Sequence, residues 1–151
     1  MTIRYVIDTD WVIDHLNQIG RVVNRLKELR PQGLALSIIS LAELSEGVYY
    51  SRTPDQSQQA LDAFLEDVSV LGIDEEVCKI FGRERGRLRK AGHLIGDFDL
   101  LMAATGLHYG LTLLTNNRRH FERVEGLQDV RIALRSLASI RYPLSLYPTI
   151  Y

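Results

Sequence analysis

The sequence predicts a three-layer α/β domain, with a central parallel sheet of four to five strands between two layers of helices. Two observations and one rule of sheet building carry this. Short runs of apolar and β-branched residues alternate with longer segments whose apolar positions recur at helical spacing. Strand and helix in alternation build a parallel sheet covered on both faces, because each return crossover is a helix. Acidic residues, Thr or Asn stand directly after several of the apolar runs, where such sheets gather their reactive groups.

Ile3-Arg4-Tyr5-Val6-Ile7 reads as a buried strand that stops at Asp8, and a helix is expected from Trp11 to Asn17. Val22, Val23, Leu26 and Leu29 mark a second helix over Arg21–Arg30, ended by Pro31 and Gly33. Leu34 to Ile39 is the next strand, with Ser40 placed to cap a helix from Leu41 toward Tyr50. Thr53-Pro54 opens a helix whose apolar stripe is Leu61, Phe64, Leu65 and Val68, and Val70 to Ile73 is a brief strand. Asp74 to Lys90 and Phe98 to Tyr109 are helical, with Gly92 and Gly96 between them. Leu111 to Leu114 is the last clear strand, and Val130-Arg131-Ile132 is the candidate for an edge strand.

Composition narrows the classes. The 151 residues are 46% hydrophobic and 25% charged, the balance of one globular domain. A net charge of −1 argues against a protein that coats long nucleic acid. The lone cysteine, Cys78, excludes an intrachain disulfide and reads as a small buried hydrophobe. No secretory leader pattern and no apolar run of roughly 18 residues occurs, so a cytoplasmic protein without membrane contact is expected. A P-loop and a dinucleotide fingerprint are both missing.

Charge is nevertheless segregated. Asp8, Asp10 and Asp14 crowd the start, while Arg83, Arg85, Arg87, Arg89 and Lys90, then Arg118, Arg119 and Arg123, form basic runs. This suits an acidic pocket with basic edges, although each run also suits a solvated helix face. In the expected fold, Asp8, Glu43, Asp97, Asp99, Thr115 and Asn116 all fall near the carboxyl ends of strands. Converging carboxylates raise one another's pKa unless a cation neutralises them. Hard oxygen ligands favour Mg²⁺ or Mn²⁺, and zinc is disfavoured without a His or Cys cluster. Two such ions can drive in-line hydrolysis of a phosphodiester.

Plainer roles compete at each position. Asp10 can be the N-cap of the first helix, and Glu43 with Ser40 has capping-box spacing. Asp97 can cap the helix at Phe98, and Thr115 and Asn116 can merely shape a turn.

Tyr5-Val6-Ile7-Asp8-Thr9-Asp10, Ile39-Ser40-Leu41-Ala42-Glu43-Leu44, Ile95-Gly96-Asp97-Phe98-Asp99 with Leu100 to Ala104, and Leu114-Thr115-Asn116-Asn117 with Arg118 to Phe121 resemble the four ordered motifs of PIN domains. The last motif, with Glu122 to Leu127, resembles VapC toxins in particular. The resemblance, which spans Tyr5 to about Leu127, implies a PIN-like fold, placed at 1–135; the apolar residues of 136–151 would be costly to leave in water, so a tail docked on the domain or a partner is expected there. It implies a Mg²⁺-dependent endoribonuclease, with Mn²⁺ able to substitute, acting on tRNA or ribosomal RNA. Asp8, Asp99 and Glu43 would be the catalytic acids and metal ligands, with Asp97 a weaker fourth. Thr9, Thr115 and Asn116 would support them, Asn116 by bonding toward an acid or phosphate. Arg85, Arg89, Arg118 and Arg119 are the candidates for RNA contact. A VapB-like antitoxin and homodimer formation are implied partners. Where many members carry an acid before the Phe of the last motif, this chain has His120, which puts a second tightly held metal in doubt.

Two rivals remain at this stage. A haloacid-dehalogenase-type phosphatase shares the apolar strand and Asp-x-Asp, with Asp8 as nucleophile and Asp10 as general acid. Its order of later motifs does not fit, and the chain is short for that fold. A catalytically silent module that holds RNA or a partner is the other, and the retained Asp8, Glu43 and Asp99 weigh against it.

Overall fold

The computed structural model describes residues 2–130, so the tail expected at 136–151 and the boundary at 135 lie outside the described residues. The element order is β1 (Tyr5–Ile7), α1 (Thr9–Leu16), α2 (Gly20–Leu29), a 3₁₀ turn (Arg30–Gln32), β2 (Leu34–Ser37), α3 (Ile38–Tyr49), α4 (Pro54–Leu65), β3 (Val68–Leu71), α5 (Glu75–Lys90), α6 (Asp97–Tyr109), β4 (Thr112–Leu114), α7 (Arg118–Phe121) and β5 (Asp129–Val130). The five strands form one sheet in the order β3-β2-β1-β4-β5, every pair parallel. The expected α/β class and strand number are therefore those observed.

Strand periodicity sorts the core into two layers. Ile7, Leu34, Leu36 and Leu114 face one cluster with Trp11, Val12, Val22, Leu26, Leu44, Leu61 and Phe64, which places α1 to α4 on that side. Their neighbours Val6, Ala35 and Leu113 face the other cluster with Leu88, Leu100, Met102, Ala103, Phe121 and Val124, from α5, α6 and the α7 region. Adjacent strand residues point to opposite faces, so a strand buried on both sides reads as a continuous apolar run.

Several boundaries differ from expectation, those of α1 and α3 because the strand before each passes into the helix with no intervening loop. Ser37 ends β2 and is also the N-cap of α3, its side chain accepting from Ile39 N at 3.2 Å. Ser40 therefore lies inside the helix, and the expected capping box with Glu43 does not form. Asp8 occupies the N-cap position of α1 without a side-chain cap bond, so Asp10 lies in the first turn and is not the cap. Gly96 precedes α6 in the same way, so Asp97 is its first residue and not its cap. Val68 begins β3, although helical spacing had assigned it to α4. Cys78 is exposed on α5, not buried.

One buried acid ties late segments together. The Glu84 side chain on α5 is only 3% exposed, and Oε2 accepts from Arg87 Nε at 3.1 Å, Arg87 Nη2 at 2.8 Å and Glu125 N at 3.4 Å. Arg87 Nη2 also donates to the Arg123 carbonyl at 2.6 Å. Burial works against the Glu84 charge, but these bonds and the charges of Arg87 and Arg83 hold its carboxyl below the usual range. The segment after α7 is thereby clamped to α5. Among the described residues no helix is long and apolar enough to cross a membrane.

Candidate active site

The site lies where β1 and β4, side by side at the middle of the sheet, both end. Asp8 follows β1, is 5% exposed, and its backbone N–H donates to the Leu114 carbonyl at 2.9 Å. Thr115, fully buried after β4, donates Oγ1–H to Asp8 Oδ2 at 2.7 Å and accepts from Asn117 N at 2.9 Å. The Asp8 carboxyl is spared capping duty because its backbone carbonyl accepts from Trp11 N and Val12 N instead. Its orientation is thus fixed by a neighbouring strand.

Thr9, one residue on, donates Oγ1–H to Glu43 Oε1 at 2.9 Å and so joins α1 to α3. Asp99, in the first turn of α6, is brought in from the opposite layer. Ser40 and Met102 meet at 3.4 Å between Oγ and Sδ, where α3 and α6 touch. Asp99 Oδ2 lies 3.0 Å from His120 Nδ1.

Electrostatics show that these acids act on one another. Burial, then the Asp10 charge, pushes the Asp8 carboxyl up to about 7, against the Thr115 bond, with Asp99 adding to the rise and the Thr9 backbone opposing it. Glu43 is raised by burial, partly offset by Thr9, and then by Asp99, Asp10 and Glu46. Asp10, open to solvent at one edge, is raised by the protein packed around it and by Asp99. Asp14, 3% exposed, is raised by burial and Asp10, while Arg21 and Asn116 oppose this.

The structure brings Asp8, Glu43 and Asp99 within one field, together with Thr9 and Thr115. It gives the other named residues different surroundings. Asp97 is exposed and bonded to Arg85 Nε at 2.9 Å, so both groups of that pair are engaged with each other outside the acid cluster. Asn116 accepts from Trp11 Nε1 at 3.0 Å and donates to Asp14 Oδ2 at 3.2 Å. It does bond an acid, but one that orders α1. Arg89 is exposed on α5, Arg119 is exposed on α7, and Arg118 pairs with Glu122 at 3.4 Å.

Sequence reasoning placed Asp10 and Asp14 in the acidic run at the start but gave neither a place among the site residues. Their i, i+4 spacing puts both on one helix face once α1 is known to start at Thr9. The last motif had marked position 120 as one that can contact a metal or a phosphate, but the pairing of His120 with Asp99 joins different helices and shows only in the structure.

A divalent ion suits this donor set. Hard carboxylate and hydroxyl oxygens dominate it, and the raised carboxyls mark a surplus of negative charge that a cation would relieve. Among the described residues no group of three or more His, Cys, Asp or Glu side chains stands close enough together to hold a metal ion, so an ion here would take one or two of these side chains and complete its shell with water.

A parallel sheet between two helical layers, with these acids at the strand ends, is the architecture of a PIN domain, and the PIN-domain family model matches residues 5–127; the chain belongs to the PIN-domain family. Within it the chain is similar to the VapC proteins. It is 32% identical to ribonuclease VapC1 of Haemophilus influenzae over 126 residues, 82% of this chain and 94% of that one. It is 29% identical to the tRNA(fMet)-specific endonuclease VapC of Shigella flexneri over 126 residues, 83% of this chain and 96% of that one. The crystal structure of VapBC2 from Rickettsia felis, bound to a DNA fragment from their promoter, matches with a TM-score of 0.81 at 30% identity, covering 85% of this chain and 98% of that one. Family membership removes the phosphatase reading.

Proposed function

We propose that the protein is a metal-dependent endoribonuclease that hydrolyses phosphodiester bonds of tRNA or ribosomal RNA and is the toxin of a toxin-antitoxin pair. The observation that carries this is the buried Asp8 carboxyl, oriented by Thr115 and raised to about 7 by burial and by the neighbouring acids Asp10 and Asp99. Names of the VapC relatives support the RNA substrate, and the VapBC complexes support a VapB-like antitoxin. Mg²⁺ fits the oxygen donors, with Mn²⁺ able to replace it. Homodimer formation and a cytoplasmic location, where those RNAs are found, belong to the same reading.

In this reading Asp8 and Asp99 hold the ion. When bound, a divalent ion supplies the charge that activates water and stabilises the leaving oxygen of a phosphodiester. Glu43, with Oε1 occupied by Thr9, has Oε2 left to position the attacking water or to bind the ion. Thr115 holds Asp8 at one angle and favours its charged form. Arg118 and Arg119, which directly precede His120, and Arg89 offer charge to the RNA backbone, a role Arg85 can share only by leaving Asp97.

The test is cleavage of a total tRNA and ribosomal RNA pool by antitoxin-free protein, with Mg²⁺ or Mn²⁺ and with EDTA. Discrete fragments that need the metal are expected, and their absence with folded, metal-supplied protein overturns the proposal. Thr115→Val keeps the side-chain shape but removes the bond to Asp8. It should move the acidic limb of the pH–rate profile up by about one unit, the worth of one hydrogen bond to a charged group. An unmoved limb would show that Thr115 does not tune Asp8.

A further inference from the structure

His120 is the only histidine among the described residues in contact with one of the site's acids. His108 pairs with Asp74 at 3.3 Å, His15 packs against Phe64 with ring centroids 5.0 Å apart, and His93 is exposed. The His120 ring is half-exposed toward solvent, at 44%, beside an Asp99 side chain that is 31% exposed.

The geometry around its Nδ1 is unusual. Asn117 Nδ2 lies 2.9 Å from it and Asp99 Oδ2 lies 3.0 Å from it. An amide NH₂ only donates, so it requires a lone pair on Nδ1, yet the ionised carboxylate on the other side offers only lone pairs as well. Either the Asn117 amide turns over and one proton on Nδ1 serves both oxygens, or a cation sits between nitrogen and carboxylate. In each arrangement a proton or a metal ion lies between Nδ1 and Asp99. The spacing also has a coordination meaning: two adjacent donors each roughly 2.1 Å from one octahedral ion are about 3.0 Å apart.

We propose that His120 Nδ1 is a metal ligand beside Asp99, and that this nitrogen makes the site select a first-row transition ion such as Mn²⁺ over Mg²⁺. The inference rests on the metal-dependent reading above and states which ion fills that site. Mg²⁺ demands oxygen donors and gives up water reluctantly, whereas imidazole suits the transition ions. Asn117, held through its backbone by Thr115, stands beside the same nitrogen, so its amide gives up that lone pair when an ion takes it. An acid at this position would keep the donors all-oxygen. A histidine there makes them mixed.

Two measurements test this on the full-length protein. Pulsed electron paramagnetic resonance of Mn²⁺ bound to wild type should show coupling to a coordinated ¹⁴N nucleus, and His120→Asp should abolish it. Calorimetric titration with MnCl₂ and with MgCl₂ should give wild type a Mn²⁺ preference of about 100-fold, reduced at least about tenfold in His120→Asp, which supplies oxygen at the same place. Mn²⁺ that binds without nitrogen coupling, or an unchanged preference in a folded variant, overturns the role of His120 while leaving the nuclease reading intact. Wild type that binds neither ion overturns both. The wild-type spectrum alone decides the ligand question should the variant fail to fold.

Discussion

Asp8→Asn is expected to lower RNA cleavage roughly a thousand-fold, equivalent to about 4 kcal/mol of transition-state stabilisation, while making the metal-free protein more stable at pH 8. Both effects have one origin. The Asp8 carboxyl sits at about 7 in the folded protein against 3.8 ordinarily. The folded state therefore holds a proton that the unfolded chain has already lost. The stability this provides is fully present below about pH 4 and is lost as pH rises through about 7. At pH 8 the ionised group opposes folding by up to about 4 kcal/mol, and a neutral Asn removes that opposition. The melting temperature of the variant should rise by several degrees at pH 8 and change little at pH 4. A divalent ion must displace the same proton, so its apparent affinity should grow between pH 6 and pH 8. A variant that retains activity, or that melts lower than wild type at pH 8, would refute this account of the site.

Gly33→Ala is expected to destabilise the fold by about 3–5 kcal/mol, the range of a strained backbone combined with a backbone clash. Gly33 has φ +88°, and a Cβ there would stand 2.2 Å from the Thr2 carbonyl oxygen and 2.8 Å from Ile3 Cα. Neither atom belongs to a flexible side chain. The Gly33 carbonyl accepts from Arg4 N at 3.1 Å and Tyr5 N at 3.2 Å, and these bonds set β1 against β2 in the register Tyr5 to Leu34. Displacing this corner shifts the strand that delivers Asp8. Thermal melts should show a fall of roughly 10 °C. Gly72→Ala, with nothing within 4 Å of the new Cβ, should be close to neutral. Equal melting temperatures for the two variants would contradict the argument.

The parts of this molecule legible in its sequence are those governed by local pattern. The central strands stood out because each is buried on both faces and so reads as an unbroken apolar run. Asp8, Glu43 and Asp99 stood out through their place after strands and their flanking motifs, and the structure sets all three in one electrostatic neighbourhood. Ser40 was misread as a cap because Ser37, a cap that doubles as the end of a strand, leaves no loop signature. At α6 the N-cap position falls to Gly96, which has no side chain to mark it, and not to Asp97. Asn116 was named for a contact with acid or phosphate, yet its partner Asp14 could be identified only once α1 and β4 were seen side by side. The pairing of His120 with Asp99 is likewise tertiary.

The strand order has a consequence in time. A chain made from its amino end produces Asp8 early, but the strand that lies beside β1 on its second edge is not made until residues 112–114, and Thr115 comes with it. Until then Asp8 lacks the hydroxyl that aims it, and Asp99 lacks His120. An unfinished chain thus carries Asp8 without the partner that orients it. The proposed site can be complete only when nearly the whole described domain has been translated.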